Sequence, residues 1–212
     1  MIVNGDISTK GNDKVIKRNV SHKGDSRNGE TKPKKNKIII IGISHARGCA
    51  REISNYFGKE FEVSGTVMPG AGLAHITTLA HEEIPNLTPD DVVIRGGSND
   101  VSKNKTSLGL KRLTNFIYHK SNTNILALAA PHRHNLQESS CINNEVQVFN
   151  RKLHKNFKAS DNWTILDVNL HGNDVTQHGP HLNTVGKEKI AEMIAENIKQ
   201  LRVRKKEYRH SY

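Results

Sequence analysis

Lys37-Ile38-Ile39-Ile40-Ile41-Gly42-Ile43-Ser44 is the stretch that decides the fold. Four consecutive isoleucines leave no polar face, the pattern of a strand buried on both sides in a parallel sheet. Gly42 ends the run, and Ser44 stands where the chain turns from that strand toward a helix. In an open α/β sheet this carboxyl edge is where ligands bind.

Outward from this strand, the same alternation repeats. Ala46 to Phe57 reads as a helix, with Ala50, Ile53, Tyr56 and Phe57 on one face. Phe61 to Val67 alternates apolar and polar residues and reads as a second strand. Leu73 to Ile84 is a helix, Thr88-Pro89-Asp90 a turn, and Asp91 to Arg95 a third strand around Val92-Val93-Ile94. Ser107 to His119 is helical, Asn124 to Ala130 is a fourth strand closed by Pro131, and Cys141 to Phe157 is a long amphipathic helix. Thr164 to Val168 is a fifth strand. Asn183 to Leu201 is the last helix, with Asn183 or Thr184 as its N-cap. Strands alternating with helices over these lengths imply a parallel sheet covered on both faces. The expected fold class is α/β: a three-layer α/β/α, flavodoxin-like sandwich with a five-stranded parallel sheet in the order 2-1-3-4-5. Its switch point lies between the first and third strands, so residues after those two strands should meet.

Charge separates this body from its ends. Residues 1–37 hold 10 Lys+Arg against 4 Asp+Glu, residues 199–212 hold 6 against 1, and the stretch between has 16 of each. Residues 1–36 have almost no large apolar side chains and are expected to be a disordered basic segment, because they cannot bury enough surface to offset chain entropy. Residues 202–212 are expected to leave the helix as a frayed basic tail. Basic ends favour polyanions through counterion release, which gives non-specific contact with nucleic acid or an anionic membrane surface. No aromatic residues are interleaved with these charges, so base stacking is not indicated. No stretch has the ~20 apolar residues of a membrane span, and the start carries no secretory pattern. Cys49 and Cys141 form no motif, which fits a reducing, intracellular setting, cytoplasmic or nuclear.

Four short motifs carry the chemistry: Gly42-Ile43-Ser44, Gly70, Gly97-Ser98-Asn99-Asp100, and His181-Leu182-Asn183. A serine hydroxyl attacks an ester only when a base takes its proton. A neutral histidine such as His181 is suited to that task. The Asn99 side-chain amide, and backbone N–H groups at a helix start or a glycine turn, can face a developing oxyanion. Each motif alone has a plainer reading. Ser44 fits a helix N-cap, Ser98-Asn99-Asp100 and Gly70 fit ordinary turns, and His181 fits an exposed loop.

Taken in order, Gly-x-Ser, a lone Gly, Gly-x-Asn-Asp and a late His-Leu-Asn resemble the SGNH hydrolases, also called GDSL-type esterases. The resemblance covers residues 37–201 and implies an SGNH-hydrolase-like domain with Ser44 as nucleophile and His181 as base. By that resemblance the N–H groups of Ser44, Gly70 and Asn99 form the oxyanion hole. The finer pattern, Ile41-Gly42-x-Ser44-His45-x-Arg47-Gly48 with His178-Gly-x-His181-Leu-Asn183, is similar to esterase-like domains of animal retroelement proteins. Two positions depart from the family. Ile43 stands where an aspartate is usual, and its side chain should point away from the nucleophile on an extended chain. His178 replaces the aspartate that orients the catalytic imidazole. Losing the equivalent carboxylate in a serine protease lowers turnover by roughly 10⁴. Asp174, His178 itself or a backbone carbonyl is the substitute to look for; otherwise Ser44 and His181 act as a dyad.

The leading expectation is a serine esterase acting on a small ester, acetyl-like because the short helices leave little room for a deep acyl tunnel. No cofactor is expected. The rival is a catalytically impaired binding module whose basic ends do the binding. A metal site built from His132, His134, His171, His178 and His181 has no HExxH pattern and no Cys–His cluster behind it. A flavin or nucleotide site would need the GxGxxG or Walker pattern that the loop after Gly42 lacks.

Overall fold

The isoleucine run forms the centre of a sheet, and its two faces feed two separate cores. In the computed structural model, which describes residues 16–18, 35–84, 91–120, 123–157, 163–176 and 181–210, strand β2 spans Asn36–Gly42. Ile39 and Ile41 pack on one face against α2 (Leu73–Glu83), α4 (Thr106–Tyr118) and α5 (Cys141–Asn156). Ile38 and Ile40 pack on the other against α1 (Cys49–Ser54) and α6 (Thr184–His210). The side-chain alternation of a strand therefore explains why four adjacent residues are all apolar: each layer of helices receives two of them. Fully burying one such side chain contributes about 1.5–3 kcal/mol.

The remaining strands are β1 (Ile16–Arg18), β3 (Phe61–Val67), β4 (Asp91–Arg95), β5 (Asn124–Leu128) and β6 (Trp163–Leu166). Their order is β1-β3-β2-β4-β5-β6. Five strands, β3 to β6 with β2 at the switch, are parallel, as the alternating sequence predicts. The chain leaves β2 toward β3 on one side and returns to β4 on the other, so the carboxyl ends of β2 and β4 are neighbours, with Gly42 opposite Arg95.

Several expectations are corrected. Three residues of the segment read as disordered, Ile16–Arg18, pair antiparallel with β3; the rest of residues 1–34 lies outside the described residues, as does the Thr88-Pro89-Asp90 turn. The helix expected from Ala46 to Phe57 is instead a 3-10 turn, Ser44–Ala46, followed by the shorter α1. Gly48, at φ +83°, separates the two, in a backbone region that side chains rarely tolerate. Gly97-Ser98-Asn99-Asp100 opens a short helix, α3 (Ser98–Ser102), rather than a plain turn. β5 and β6 end at Leu128 and Leu166, sooner than expected. The last helix does not fray at Leu201 but continues to His210. Lys, Arg and Glu are good helix formers, and Arg202 is fixed from the side: its Nε donates to Asp91 Oδ2 at 2.6 Å and its guanidinium lies 4.7 Å from the Phe61 ring centre.

Candidate active site

Ser44 is placed by close packing beneath it. A Cβ on Gly42 would sit 2.7 Å from the Arg95 carbonyl oxygen and 2.8 Å from Ala46 Cβ, so only glycine lets β2 end this tightly against β4. The Ile43 N–H donates to the Arg95 carbonyl at 3.1 Å, and the Met68 N–H donates to the Gly42 carbonyl at 2.8 Å. Ile43 itself is buried in the core under α2, α4 and α5. Its side chain therefore points away from the edge where Ser44 stands half-buried.

The loop with Gly70 and the helix with Asn99 are bound to each other. Lys103 Nζ donates to the Gly70 carbonyl at 2.8 Å, Asn99 Nδ2 donates to the Ala71 carbonyl at 2.8 Å, and the Leu73 N–H donates to Asp100 Oδ2 at 2.9 Å. One of the two amide hydrogens of Asn99 is thus committed to holding the loop. Asp100 is buried, with its carboxylate against Gly72 and Gly109, where a Cβ would come within 2.9 and 2.6 Å of Oδ1. Burial pushes the Asp100 carboxyl above its usual range, and the Leu73 N–H opposes that shift. Gly70, at φ +78°, has open space around the position of a Cβ, so its conformation rather than its packing calls for glycine.

His181 reaches the edge from the far end of the chain. Its carbonyl accepts from the Thr176 N–H at 2.7 Å, and Leu182 bridges to Val175. Asn183 fixes the same turn from below. Its Oδ1 accepts from the Gly186 N–H at 2.9 Å, which makes it the N-cap of α6, and its Nδ2 donates to the Asn173 carbonyl at 2.6 Å. The exposed His181 ring lies 5.7 Å, centre to centre, from the ring of His45, the residue after Ser44. No hydrogen bond joins Ser44 Oγ to His181, both of which are described.

The two groups expected to orient His181 fare differently. Asp174 Oδ2 accepts from the His171 N–H at 2.8 Å and from Lys189 Nζ at 3.1 Å. The His171 N–H, with help from Lys189, holds this carboxyl below its usual range. Its carboxylate thus serves the turn carrying His181, with no hydrogen bond to the imidazole. His178 lies outside the described residues. Among the described residues, no three His, Cys, Asp or Glu side chains converge as a metal site. His132 and His134 form a separate pair, 6.0 Å between ring centres.

Three residues at this edge were given no role by the sequence: His45, Arg95 and Arg133. His45 is buried, its Nδ1 has no hydrogen-bond partner, and its pKa is lowered to about 4 by burial, then by Arg95, His181 and Arg133. Arg95 is 3% exposed, its Nη1 approaches Cys49 Sγ at 3.9 Å, and its Nη2 has no partner. Cys49 in turn donates to the His45 carbonyl at 3.6 Å, and burial raises its thiol pKa. Arg133 follows β5 and is fixed by α5: its N–H donates to Asn143 Oδ1 at 2.8 Å and its carbonyl accepts from Asn143 Nδ2 at 3.2 Å. The sequence signals were an arginine closing an otherwise apolar strand, a histidine beside the serine, and Pro131-His132-Arg133-His134 after a strand.

No protein-family model and no curated protein matches the chain. Solved structures do share its fold. A lipase/acylhydrolase from Enterococcus faecalis matches with TM-score 0.60 and 18% identity, over 78% of this chain and 96% of that one. A GDSL-like lipase from Bacteroides thetaiotaomicron matches with TM-score 0.59 and 17% identity, over 78% and 88%. The acetyl xylan esterase AlAXEase matches with TM-score 0.61 and 19% identity, over 76% and 99%. At these identities the likeness is one of fold.

Proposed function

We propose that this chain is a serine esterase of the SGNH type that hydrolyses a small, acetyl-like carboxylic ester. The observation that carries the reading is the meeting of three sequence-distant motifs at one edge: Ser44 follows β2, Asn99 follows the adjacent β4, and the His181 ring lies edge to face with His45, next to the serine. The fold shared with lipases, acylhydrolases and an acetyl xylan esterase supports it.

In this mechanism Ser44 Oγ attacks the ester carbonyl carbon and passes its proton to His181. The carbonyl oxygen becomes an oxyanion, stabilised by the N–H groups of Ser44, Gly70 and Asn99. The intermediate collapses, the C–O bond to the alcohol breaks, and His181 returns the proton to the leaving oxygen. Water, deprotonated by His181, then attacks the acyl-serine and releases the acid. Asp174 contributes by fixing the turn that carries His181; His178 is the remaining candidate to orient the ring, and without it the pair works as a dyad. A fluorophosphonate probe tests this. Labelling at Ser44, abolished in Ser44→Ala together with a fall of about 10⁴-fold or more in p-nitrophenyl acetate turnover, is the expected result. An unlabelled serine in folded protein would refute it.

A second reading concerns the ends of the chain. α6 runs on past Leu201 to His210 with Arg204 exposed on it, and the sequence of this last stretch is basic. This supports non-specific contact with nucleic acid or an anionic membrane, as in the retroelement-type resemblance and an intracellular setting. Arg202 is occupied by Asp91 and is not part of that surface. Among the described residues, no helix is long and apolar enough to cross a membrane. Heparin retention that weakens with salt and disappears on removing residues 1–35 and 203–212 would support this reading, and unchanged retention would reject it.

A further inference from the structure

Basic side chains gather around His45 at the Ser44 edge, and among the described residues no carboxylate pairs with Arg95. Arg95 and Arg133 both disfavour the charged form of His45, and the His181 ring lies 5.7 Å from it, centre to centre. Lys187 adds another positive charge at Cys49, where its side chain also passes Gly48. Glu52, the acidic side chain beside Cys49, forms no hydrogen bond or ion pair with Arg95. The two aspartates near the site are turned elsewhere, Asp100 to the Leu73 N–H and Asp174 to His171 and Lys189.

A guanidinium as buried as that of Arg95 is ordinarily paired with a carboxylate or surrounded by carbonyls, because an uncompensated buried charge is strongly unfavourable. Here one nitrogen has only a thiol within reach and the other has no partner, while His45 Nδ1 is also unmatched. Two unmatched polar groups of this depth next to a candidate nucleophile point to a component that arrives with the ligand. Arg95 is paired in register with Gly42, two residues before Ser44, so a group held there is adjacent to the reacting ester. Arg133 stands on the neighbouring loop with its backbone locked by Asn143. The planar fork of arginine suits phosphate and carboxylate oxygens.

We propose that Arg95, Arg133 and the His45–His181 pair form an oxyanion-binding subsite beside Ser44, and that the ester taken by this chain carries a phosphate or carboxylate group. The substrate class rests on the esterase reading; the anion site itself does not. The test is thermal denaturation of the full-length chain in inorganic phosphate or succinate, with chloride at equal ionic strength as reference. The subsite is expected to raise the wild-type Tm by about 3 °C at roughly ten times the anion's Kd. Arg133→Gln should lose most of that rise, and the anion giving the larger shift identifies the group. Arg95→Met is the more direct variant but risks the fold, so the half-buried Arg133 carries the decision. An equal rise in chloride would mean general screening of a chain of net charge +11 and would overturn the proposal, as would an unchanged rise in Arg133→Gln.

Ser44→Ala separates the two readings. If it keeps the anion shift while the wild type is not labelled by a fluorophosphonate, the subsite stands and the esterase reading fails. Labelling without an anion shift gives the reverse. With both in place, kcat/KM for p-nitrophenyl hemisuccinate should exceed that for p-nitrophenyl acetate by about tenfold, and Arg133→Gln should bring the ratio toward one. A ratio of one in the wild type would remove the substrate assignment.

Discussion

On the side of Ser44 that faces α2 and α4, the Gly70 loop and α3 are joined by Lys103, Asn99 and Asp100 in three short hydrogen bonds. On the side that faces α1 and α6, Arg95 and His45 carry buried nitrogens with no partner, and the histidine rings meet only edge to face. One side is finished before any ligand arrives, with its backbone donors set by contacts internal to the protein. The other holds unbalanced positive charge. An oxyanion hole benefits from the first arrangement, since fixed donors need no reorganisation during the reaction. A site that selects a charged group benefits from the second, because its affinity comes from relieving the imbalance.

The largest effect expected from breaking the finished side comes from Asn99. Asn99→Ala removes the tie to Ala71 and, on the proposed esterase reading, an oxyanion donor as well. Turnover of p-nitrophenyl acetate should fall about 10²–10³-fold with little change in far-UV circular dichroism. A loss under threefold would mean that Asn99 is only a structural tie.

On the unbalanced side, pH is the lever. The folded-state pKa of His45, about 4, lies below its unfolded value because burial and then Arg95, His181 and Arg133 disfavour its charged form. The unfolded chain therefore takes up that proton first, and stability should decline as pH falls from about 6.5 toward 4, by up to about 3 kcal/mol. Urea titrations across this range should show the decline in the wild type and a flatter dependence in His45→Gln. The carboxyl of Asp174, held low by His171 and Lys189, adds its own loss at still lower pH.

A smaller effect belongs to Asp100. Asp100→Ala strands the Leu73 N–H at the start of α2 and should lower stability by about 1–3 kcal/mol. The drop in Tm by calorimetry checks it, and no drop would mean that α2 needs no cap from α3.

The sequence made the finished side far more legible than the unbalanced one. Strand periods and the switch-point rule are enough to bring Ser44 and Asn99 to one edge, because both follow strands whose burial shows in their composition. Phe61–Val67 and Asp91–Arg95 have the boundaries read from pattern alone. The brief α3 was missed because five residues give no periodicity, and its Ser-Asn-Asp opening also fits a turn. Arg95 was passed over because a charged residue at a strand end is usually solvated; its burial comes from α1 and the Ser44 turn closing over it. The diversion of the Asp174 carboxylate to Lys189 depends on how α6 docks, and α6 joins residues fifteen apart that no local pattern relates. The continuation of α6 was hidden by a charge run that resembles a tail, although its arginine at 202 is clamped across the fold.

That clamp makes α6 a built-in spacer. Its first turn is set by the loop of His181 and its later turns by Asp91 at the opposite edge of the sheet, roughly 28 Å away along the helix axis. A fluorophore, affinity tag or surface linker attached at the carboxyl end would stand well clear of the Ser44 edge and leave it facing outward. Immobilised in that orientation, every molecule presents the same Ser44 edge to solution.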